Sequence, residues 1–385
     1  MNNTQYWVWA QTALGISSSV RSDEIISYFG SAENLYFAGE YEWKISGTLT
    51  PGQINKLKVT TLDRAKEIIE ECNRYKIKIV TPDDREYPSL LFKLPNLPLV
   101  LYVRGDLDCL KNKISIAVVG AREASESGKR IARALSASLC RSGAVIVSGA
   151  AKGIDYAAHS GALDVGAKTV AVLGCGFGTS YLQENEALRR EIANHGALIT
   201  EYPPRAPAFG ANFPFRNRII SGLSYGTIVI EANDKSGSLR TAAHAMNQGR
   251  DIFAVPGDIT SSMNMGTNRL LRDGAKPVFN AMDVLEEYAA RYPDMLDMSK
   301  IEVVLSMNPG EKPEKNNSPA PKKDIPHDIS DNARLICDIF TDGTMQAEEI
   351  ILRSKLKTVD FLSAMTELEL LGIIEPLAGK NYKRL

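Results

Sequence analysis

The run ISIAVVGAR (114–122) decides the fold. It is a short apolar stretch rich in Ile, Val and Ala, without strict alternation, and it ends in a glycine and an arginine. Strands buried on both faces read this way. Six further runs of the same kind follow: AVIVS (144–148), KTVAVL (168–173), ALIT (197–200), TIVIE (227–231), DIFAV (251–255) and KPVF (276–279). Helical stripes separate them. Ile131, Leu135 and Leu139 recur at i, i+4 and i+8, and Leu239, Ala242, Ala243 and Met246 form another stripe. Apolar strands alternating with helices predict an α/β fold, an extended Rossmann-like parallel sheet domain over residues 77–292.

Outward from this domain, residues 1–76 read as a small helical module of SAM or helix-hairpin-helix type. Trp7, Trp9, Tyr28, Phe29, Tyr36 and Phe37 are its expected core, and Leu62, Ala65, Ile68, Ile69 and Cys72 share one face of its last helix. No specific motif gives this module a DNA-binding role, and a structural role comes first. Pro82, Pro88, Pro95 and Pro98 exclude a long helix from the connector that follows and imply a strand and an extended crossover. Residues 293–329 are a linker, because NPGEKPEKNNSPAPKKDIPHD within it has no apolar stripe. In 330–385, helices are expected over Asp331–Phe340, Met345–Arg353 and Thr358–Leu371. Gly372 as a C-cap and a ribbon turning near Gly379 complete a winged helix. Its third helix turns Val359, Leu362, Met365 and Leu368 inward and shows Asp360, Glu367 and Glu369 to solvent, so it repels phosphate rather than reading a duplex. A partner-protein or self-association role is expected there, with weak duplex contact through Lys380, Lys383 and Arg384 as the alternative.

The 385 residues carry 45 Lys and Arg against 46 Asp and Glu, a net charge of −1, so any nucleic-acid contact must come from a local patch. The five cysteines are scattered without CxxC spacing, which argues against disulfides and zinc and fits a reducing cytoplasm. The start lacks a basic segment followed by a long apolar one, and no run of eighteen apolar residues occurs. Neither export nor a membrane span is expected.

In a doubly wound sheet the ligand lies beyond the carboxyl ends of the strands. The loops there are GAR (120–122), SGAAKGID (148–155), GCGFG (174–178), EANDKSGSLRTA (231–242) and PGD (256–258). Glycines let backbone N–H groups approach an anion, and each following helix adds its positive end. With Arg122, Lys152 and Arg240 set among them, these loops make an anion-binding rim, to which Ser148, Gly149, Gly237 and Ser238 are assigned. Nucleotide motifs do not fit. Gly120 and Gly128 do not make GxGxxG, and GxxxxGK[ST] is absent. No cofactor is expected. Asp155 and His159 lie one helical turn apart and suit ligands or an acid-base pair, but they lack a third partner, so a cap with a packed histidine is expected.

FPFRNRIIS (213–221) crowds aromatics, arginines and an asparagine together. From Tyr202 to Ile230 there are three arginines, Arg205, Arg216 and Arg218, and no acid. Arginine forks suit phosphate, and Phe213 or Phe215 offers a face to an unpaired base. Taken alone, the loop slightly favours buried phenylalanines and surface ion pairs. The glycine loops around it tip the reading towards phosphate binding.

The motifs VVGAR, SGAAKGID, AVLGCG, TEYPP, FPFRNRIISGLS, EANDKSGSLRTAAHA, GRDIFAVPGD and GTNRLLRDGA, in this order, resemble the bacterial DNA-processing protein A family, also called DprA or Smf. The resemblance covers Tyr87 to Tyr288 and the tail. It implies a non-enzymatic, dimeric, single-stranded DNA-binding protein that protects incoming DNA and loads RecA in natural transformation and recombination. It also implies backbone contacts by Arg122, Lys152, Arg216 and Arg218, stacking by Phe213, and a place for Asn217 in the DNA site. Ala121 stands where serine is frequent, and Gly178 and Leu182 where aspartate and proline are common. A more distant likeness, to the lonely-guy phosphoribohydrolases, offers a nucleoside-monophosphate hydrolase as the alternative. Their PGGxGTxxE becomes SGSLRTAAH (236–244) here, with Ser238 and Arg240 in place of two glycines and His244 in place of the glutamate, so binding is expected rather than hydrolysis.

Overall fold

Seven of the nine strands in the main sheet are the apolar runs themselves. In chain order the strands are β1 (Lys78–Val80), β2 (Leu101–Gly105), β3 (Ser115–Val119), β4 (Val145–Ser148), β5 (Thr169–Leu173), β6 (Ala197–Thr200), β7 (Gly226–Val229), β8 (Asp251–Ala254) and β9 (Lys276–Pro277). The computed structural model describes residues 3–181, 183–300, 329–340, 344–377 and 381–384. The sheet order is β1-β2-β6-β5-β4-β3-β7-β8-β9. Strands β3 to β9 run parallel, while β2 is antiparallel to both β1 and β6. The proline-rich connector thus supplies the edge strand β1 and its neighbour β2. From β3 the chain winds outward through β4, β5 and β6, then returns to place β7 on the other side of β3. The carboxyl ends of β3 and β7 therefore flank a topological switch point, where the loops diverge and leave a crevice.

The helices are α1 (Thr4–Leu14), α2 (Ser22–Phe29), α3 (Ala32–Ile45), α4 (Pro51–Val59), α5 (Leu62–Arg74), α6 (Glu126–Arg141), α7 (Ile154–Asp164), α8 (Glu186–His195), α9 (Asn212–Gly222), α10 (Ser238–Asn247), α11 (Met265–Arg272) and α12 (Met282–Ala289). Both faces of the sheet are covered. Ala117 and Val119 of β3 join Ile219, Ile220 and Leu223 of α9 and Ala242 of α10. Ile116 and Val118 join Leu135 and Leu139 of α6, Ala158 of α7 and Leu285 of α12. Period-two alternation sends neighbours to opposite cores, and because both are apolar the strand shows no polar alternation. The stripe expected on α10 is rotated. Ala243 and Met246 are exposed, whereas Ser238, Thr241, Ala242 and Ala245 are buried. Small hydroxyl side chains allow close approach to the sheet, and apolar periodicity does not register them.

The N-terminal helices share a core with the sheet. Trp7, Trp9 and Phe29 are buried with Leu35 and Trp43, and this core continues into Leu99, Val100 and Tyr102 at the β2 edge. Tyr36 packs edge-on against Trp9 at 4.9 Å. Tyr28 and Phe37, expected inside, are 47% and 68% exposed, because α2 and α3 turn other faces inward. Polar ties reinforce the seam. Gln11 donates to the Val100 carbonyl at 3.2 Å, Ser22 to the Leu97 carbonyl at 2.7 Å, and the Trp7 indole to Asp83 at 2.7 Å.

The chain forms two compact units, Met1–Pro309 and Gly310–Leu385. Within the segment assigned to a linker, turns at Pro293–Met295 and Met298–Lys300 pack Met295, Leu296 and Met298 on the core shared by α6 and α12. Residues 301–328 lie outside the described residues. The second unit contains α13 (Asp331–Ile339), β10 (Thr344–Gln346), α14 (Ala347–Ser354), α15 (Thr358–Leu370), β11 (Ile374–Leu377) and β12 (Asn381–Arg384), with antiparallel strand order β10-β12-β11. Thr344–Gln346 is a strand where the second helix was expected to begin. Phe361, Ala364, Met365 and Leu368 form the inward face of α15, while Val359 and Leu362 are 78% and 55% exposed. The large Phe361 sets the helix phase. Gly379 and the expected ribbon turn lie outside the described residues.

Trp7 joins the helical module to the connector, so Trp7→Ala should cost about 3 to 5 kcal/mol. A denaturation curve on the full chain checks this, and an unchanged midpoint would separate the module from the sheet's core.

Candidate nucleic-acid interface

A cleft of about 750 Å³ opens at the switch point. Gly120, Ala121 and Arg122 follow β3 into it, Asn233, Lys235, Ser236 and Gly237 follow β7, and α9 contributes Phe213, Pro214, Arg216 and Asn217. Several helix N-termini reach its rim, and their unpaired N–H groups make each one attractive to an anion. Two are already occupied by carboxylates of the chain. Glu231, 3% exposed, accepts from the Ser125 amide at 3.1 Å and the Ser125 hydroxyl at 2.7 Å, immediately before α6. Asp155 accepts from the amides of Gly149 at 3.1 Å and Ala151 at 3.4 Å, in the loop before α7. Helices α9 and α10 have no acid in their first turns. Both starts reach the cleft, and Asn217, midway along α9, donates to the carbonyl of Gly237 at the start of α10 at 3.4 Å.

This corrects the expected roles of two loop residues. The Ser148 hydroxyl is buried and donates to the Val118 carbonyl at 2.6 Å, and the Gly149 amide is spent on Asp155. The glycine at 149 is a close-approach residue, since a Cβ there would stand 2.7 Å from both the Arg216 guanidinium and the Asp155 carboxylate. Ser238 is 6% exposed and pairs its hydroxyl with that of Ser236 at 2.8 Å.

The arginines divide by function. Arg216 is 5% exposed, donates to the Gly149 carbonyl at 3.1 Å and to the Val172 carbonyl, and is pushed below the usual guanidinium range by burial. It braces the loop while forming part of the cleft lining. Arg218 does not reach the cleft. It is 3% exposed, reaches both Glu201 oxygens at 2.8 and 2.9 Å, and lies 4.1 Å from the centre of the Phe215 ring. The expected backbone contact at Arg218 is therefore replaced by a buried ion pair, because successive residues of α9 point in different directions. Arg122 is exposed, as is Lys235, a cation that the sequence pattern did not single out. Neither has a carboxylate partner among the described residues. Lys152 pairs with Glu184 at 2.6 Å with both side chains about half exposed, a contact worth about 0 to 1 kcal/mol and easily exchanged. Arg240 is exposed on α10 outside the cleft lining, and Arg205 bonds Glu71 at 2.5 Å.

Phe213 is half-buried in the wall. Its ring lies over the Gly174 backbone, where a Cβ would approach to 2.7 Å, and packs against Tyr181 at 4.7 Å. The Arg122 guanidinium sits 5.6 Å from its centre. Tyr181 carries no signal in the sequence that would place it here. Leu182 lies outside the described residues. The expected roles of Asp155 and His159 hold: the acid caps its loop, and the histidine is fully buried against Thr169 at 2.8 Å, with burial pushing its pKa down to about 3. His244 sits 3.3 Å from the Pro214 carbonyl.

A Rossmann-like sheet with an aromatic-walled cleft at its switch point, lined by Arg122, Arg216 and Lys235 with Glu123 and Asp155, defines an α/β protein with a candidate binding cleft at that place. Residues 78–289 match the family model described as DNA recombination-mediator protein A, and the chain belongs to that family. It is 33% identical to Protein Smf of Synechocystis over 83% of each chain, and 43% identical to DNA processing protein DprA of Streptococcus pneumoniae over 52% of this chain and 71% of the relative. Among solved structures, the S. pneumoniae DprA crystal structure aligns with a TM-score of 0.64 at 34% identity, covering 74% of this chain and 98% of that one. A Helicobacter pylori DNA processing protein A structure, described for its single-stranded DNA binding mode, aligns with a TM-score of 0.51 at 30% identity, covering 56% and 97%.

Arg218→Ala leaves the Glu201 carboxylate buried and unpaired, and should cost about 3 to 5 kcal/mol of stability. The folded fraction should keep its affinity for anionic ligands. Chemical denaturation and binding on the same variant check both, and normal stability with abolished binding would return Arg218 to the cleft.

Proposed function

We propose that this chain is a non-enzymatic, single-stranded DNA-binding recombination mediator that acts in the cytoplasm, binding incoming strands as a dimer and presenting them to RecA. The observation that carries the DNA-binding part is the pairing of exposed Arg122 and Lys235 with the acid-free ends of α9 and α10 beside the Phe213–Tyr181 wall. Phosphates are held by the two cations and the helix-end amides, and Lys152 exchanges Glu184 for phosphate. An unpaired base stacks on the aromatic wall beside Arg122. A duplex hides its base faces, so the wall favours single strands. The H. pylori relative's single-stranded DNA binding mode supports this reading. RecA loading and the dimer rest on family membership.

A phosphoribohydrolase is the weaker reading. His244 occupies the glutamate position of those enzymes and abuts the Pro214 carbonyl. The buried His159 is held neutral, and Asp155 is committed to backbone amides. An acid-base group for glycosidic cleavage is therefore missing from these positions.

Oligothymidine should bind more tightly than a duplex of the same length. Arg122→Ala and Lys235→Ala should each weaken binding and flatten the log-log salt dependence by about 0.7 for each cation removed. Incubation with nucleoside monophosphates should release no base. Preference for duplex, unchanged salt slopes in both variants, or base release would count against the reading.

A further inference from the structure

Beside Phe213 the cleft borders a void of about 10 Å³. This narrow slot, bounded by Arg122, Tyr181, Phe213 and Arg216, shares these residues with the cleft. The slot in turn shares Leu173 and Arg189 with a groove of about 80 Å³ beside β6 and α8. That groove is lined by Arg104, Phe177, Thr179, Glu186, Arg189 and Arg190. An arginine–aromatic pair recurs here, with the Arg104 guanidinium 4.8 Å from the centre of the half-buried Phe177 ring, as Arg122 lies 5.6 Å from that of Phe213.

The charges in this groove are unbalanced. Arg189 and Arg190 share one acid, Glu186, at 3.6 and 3.7 Å, and Arg104 has no carboxylate partner among the described residues. Arg189 also donates to the Tyr181 carbonyl at 2.9 Å, joining the groove to the Phe213 wall. Three guanidinium groups against one carboxylate favour a polyanion, and a flat ring beside an arginine suits a base and its phosphate.

We propose that this groove is a second subsite for the same single strand, in which Arg104 and Arg190 hold phosphates and the Arg104–Phe177 pair receives a base beyond the one at Phe213. The inference rests on the single-strand reading of the cleft. A strand that fills only the cleft would not feel the groove, whereas a longer one would run over the surface beside Tyr181 and engage it.

The test compares oligothymidines of roughly 6 and roughly 20 nucleotides on the full chain and on Arg104→Gln, Arg190→Gln and the double variant. The expected result is several-fold weaker binding of the long oligomer, with its salt slope flattened by about 0.7 per arginine removed and the short oligomer unaffected. Arg190 is 71% exposed at its side chain, so its variant keeps the test valid if Arg104→Gln perturbs folding. Equal weakening for both lengths, or none for the long one, overturns the second subsite while leaving the cleft assignment in place. If neither oligomer binds the unmodified chain, the single-strand reading itself fails.

Discussion

The cleft depends on two carboxylates already engaged within the chain: Asp155 in its lining and Glu231 behind it. Glu231 sits against the start of α6 and Asp155 against the loop before α7, each taking hydrogen bonds that a phosphate would otherwise accept. In a Rossmann-like sheet the first of these places is the usual seat of a dinucleotide pyrophosphate. Occupied from within, it rejects a second anion. Arg122 and Lys235, without a carboxylate partner among the described residues, line the cleft with the acid-free starts of α9 and α10. The same fold can thus fill its usual nucleotide seat with its own carboxylate, in keeping with the proposed binding of an open polyanion.

Helix α9 must be held rigidly for this to work, and its arginines do so by opposite means. Arg216 threads beneath Gly149 to the Val172 carbonyl, while Arg218 reaches away to Glu201 under the Phe215 ring. An internal ion pair adds little net stability compared with apolar packing, but removing one partner is severe. Such a pair fixes the rotation of the helix about its axis. That rotation places Phe213 over Gly174 and Asn217 beside Gly237. The neighbouring small cavity bounded by Gln11, Gly15, Leu97, Glu201 and Arg218 shows that the N-terminal helices close over this support.

The strands from β3 onward and the cleft at their carboxyl ends were legible in sequence, because doubly buried strands are apolar throughout and glycine loops mark their carboxyl ends. What sequence could not assign was direction. FPFRNR contains two arginines two residues apart, and both look available for phosphate, yet each is buried on its own side of the helix. Glycine at 149 looked like an open amide, whereas it is required by the side chains packed on either side of it. Lys235 was legible in principle, as a cation in the loop after β7, but the glycine and serine around it carry the stronger pattern. The phase of α15 and the aromatic core of the N-terminal module were misjudged for a related reason: apolar residues outnumber the buried positions, and packing chooses among them.

Placing a carboxylate at the open end of α10 tests the central claim most directly. Gly237 has φ −63° and ψ −20°, and no heavy atom lies within 4 Å of where a Cβ would stand, so Ala and Asp both fit there. Aspartate is also a favoured residue at a helix N-cap, so folding should not suffer. The measurement is oligothymidine affinity of Gly237→Asp against Gly237→Ala at low salt. The account predicts that the alanine variant binds as the unmodified chain does and that the aspartate variant binds at least about tenfold more weakly, or about 1.4 kcal/mol. Equal affinity of the two variants would contradict it.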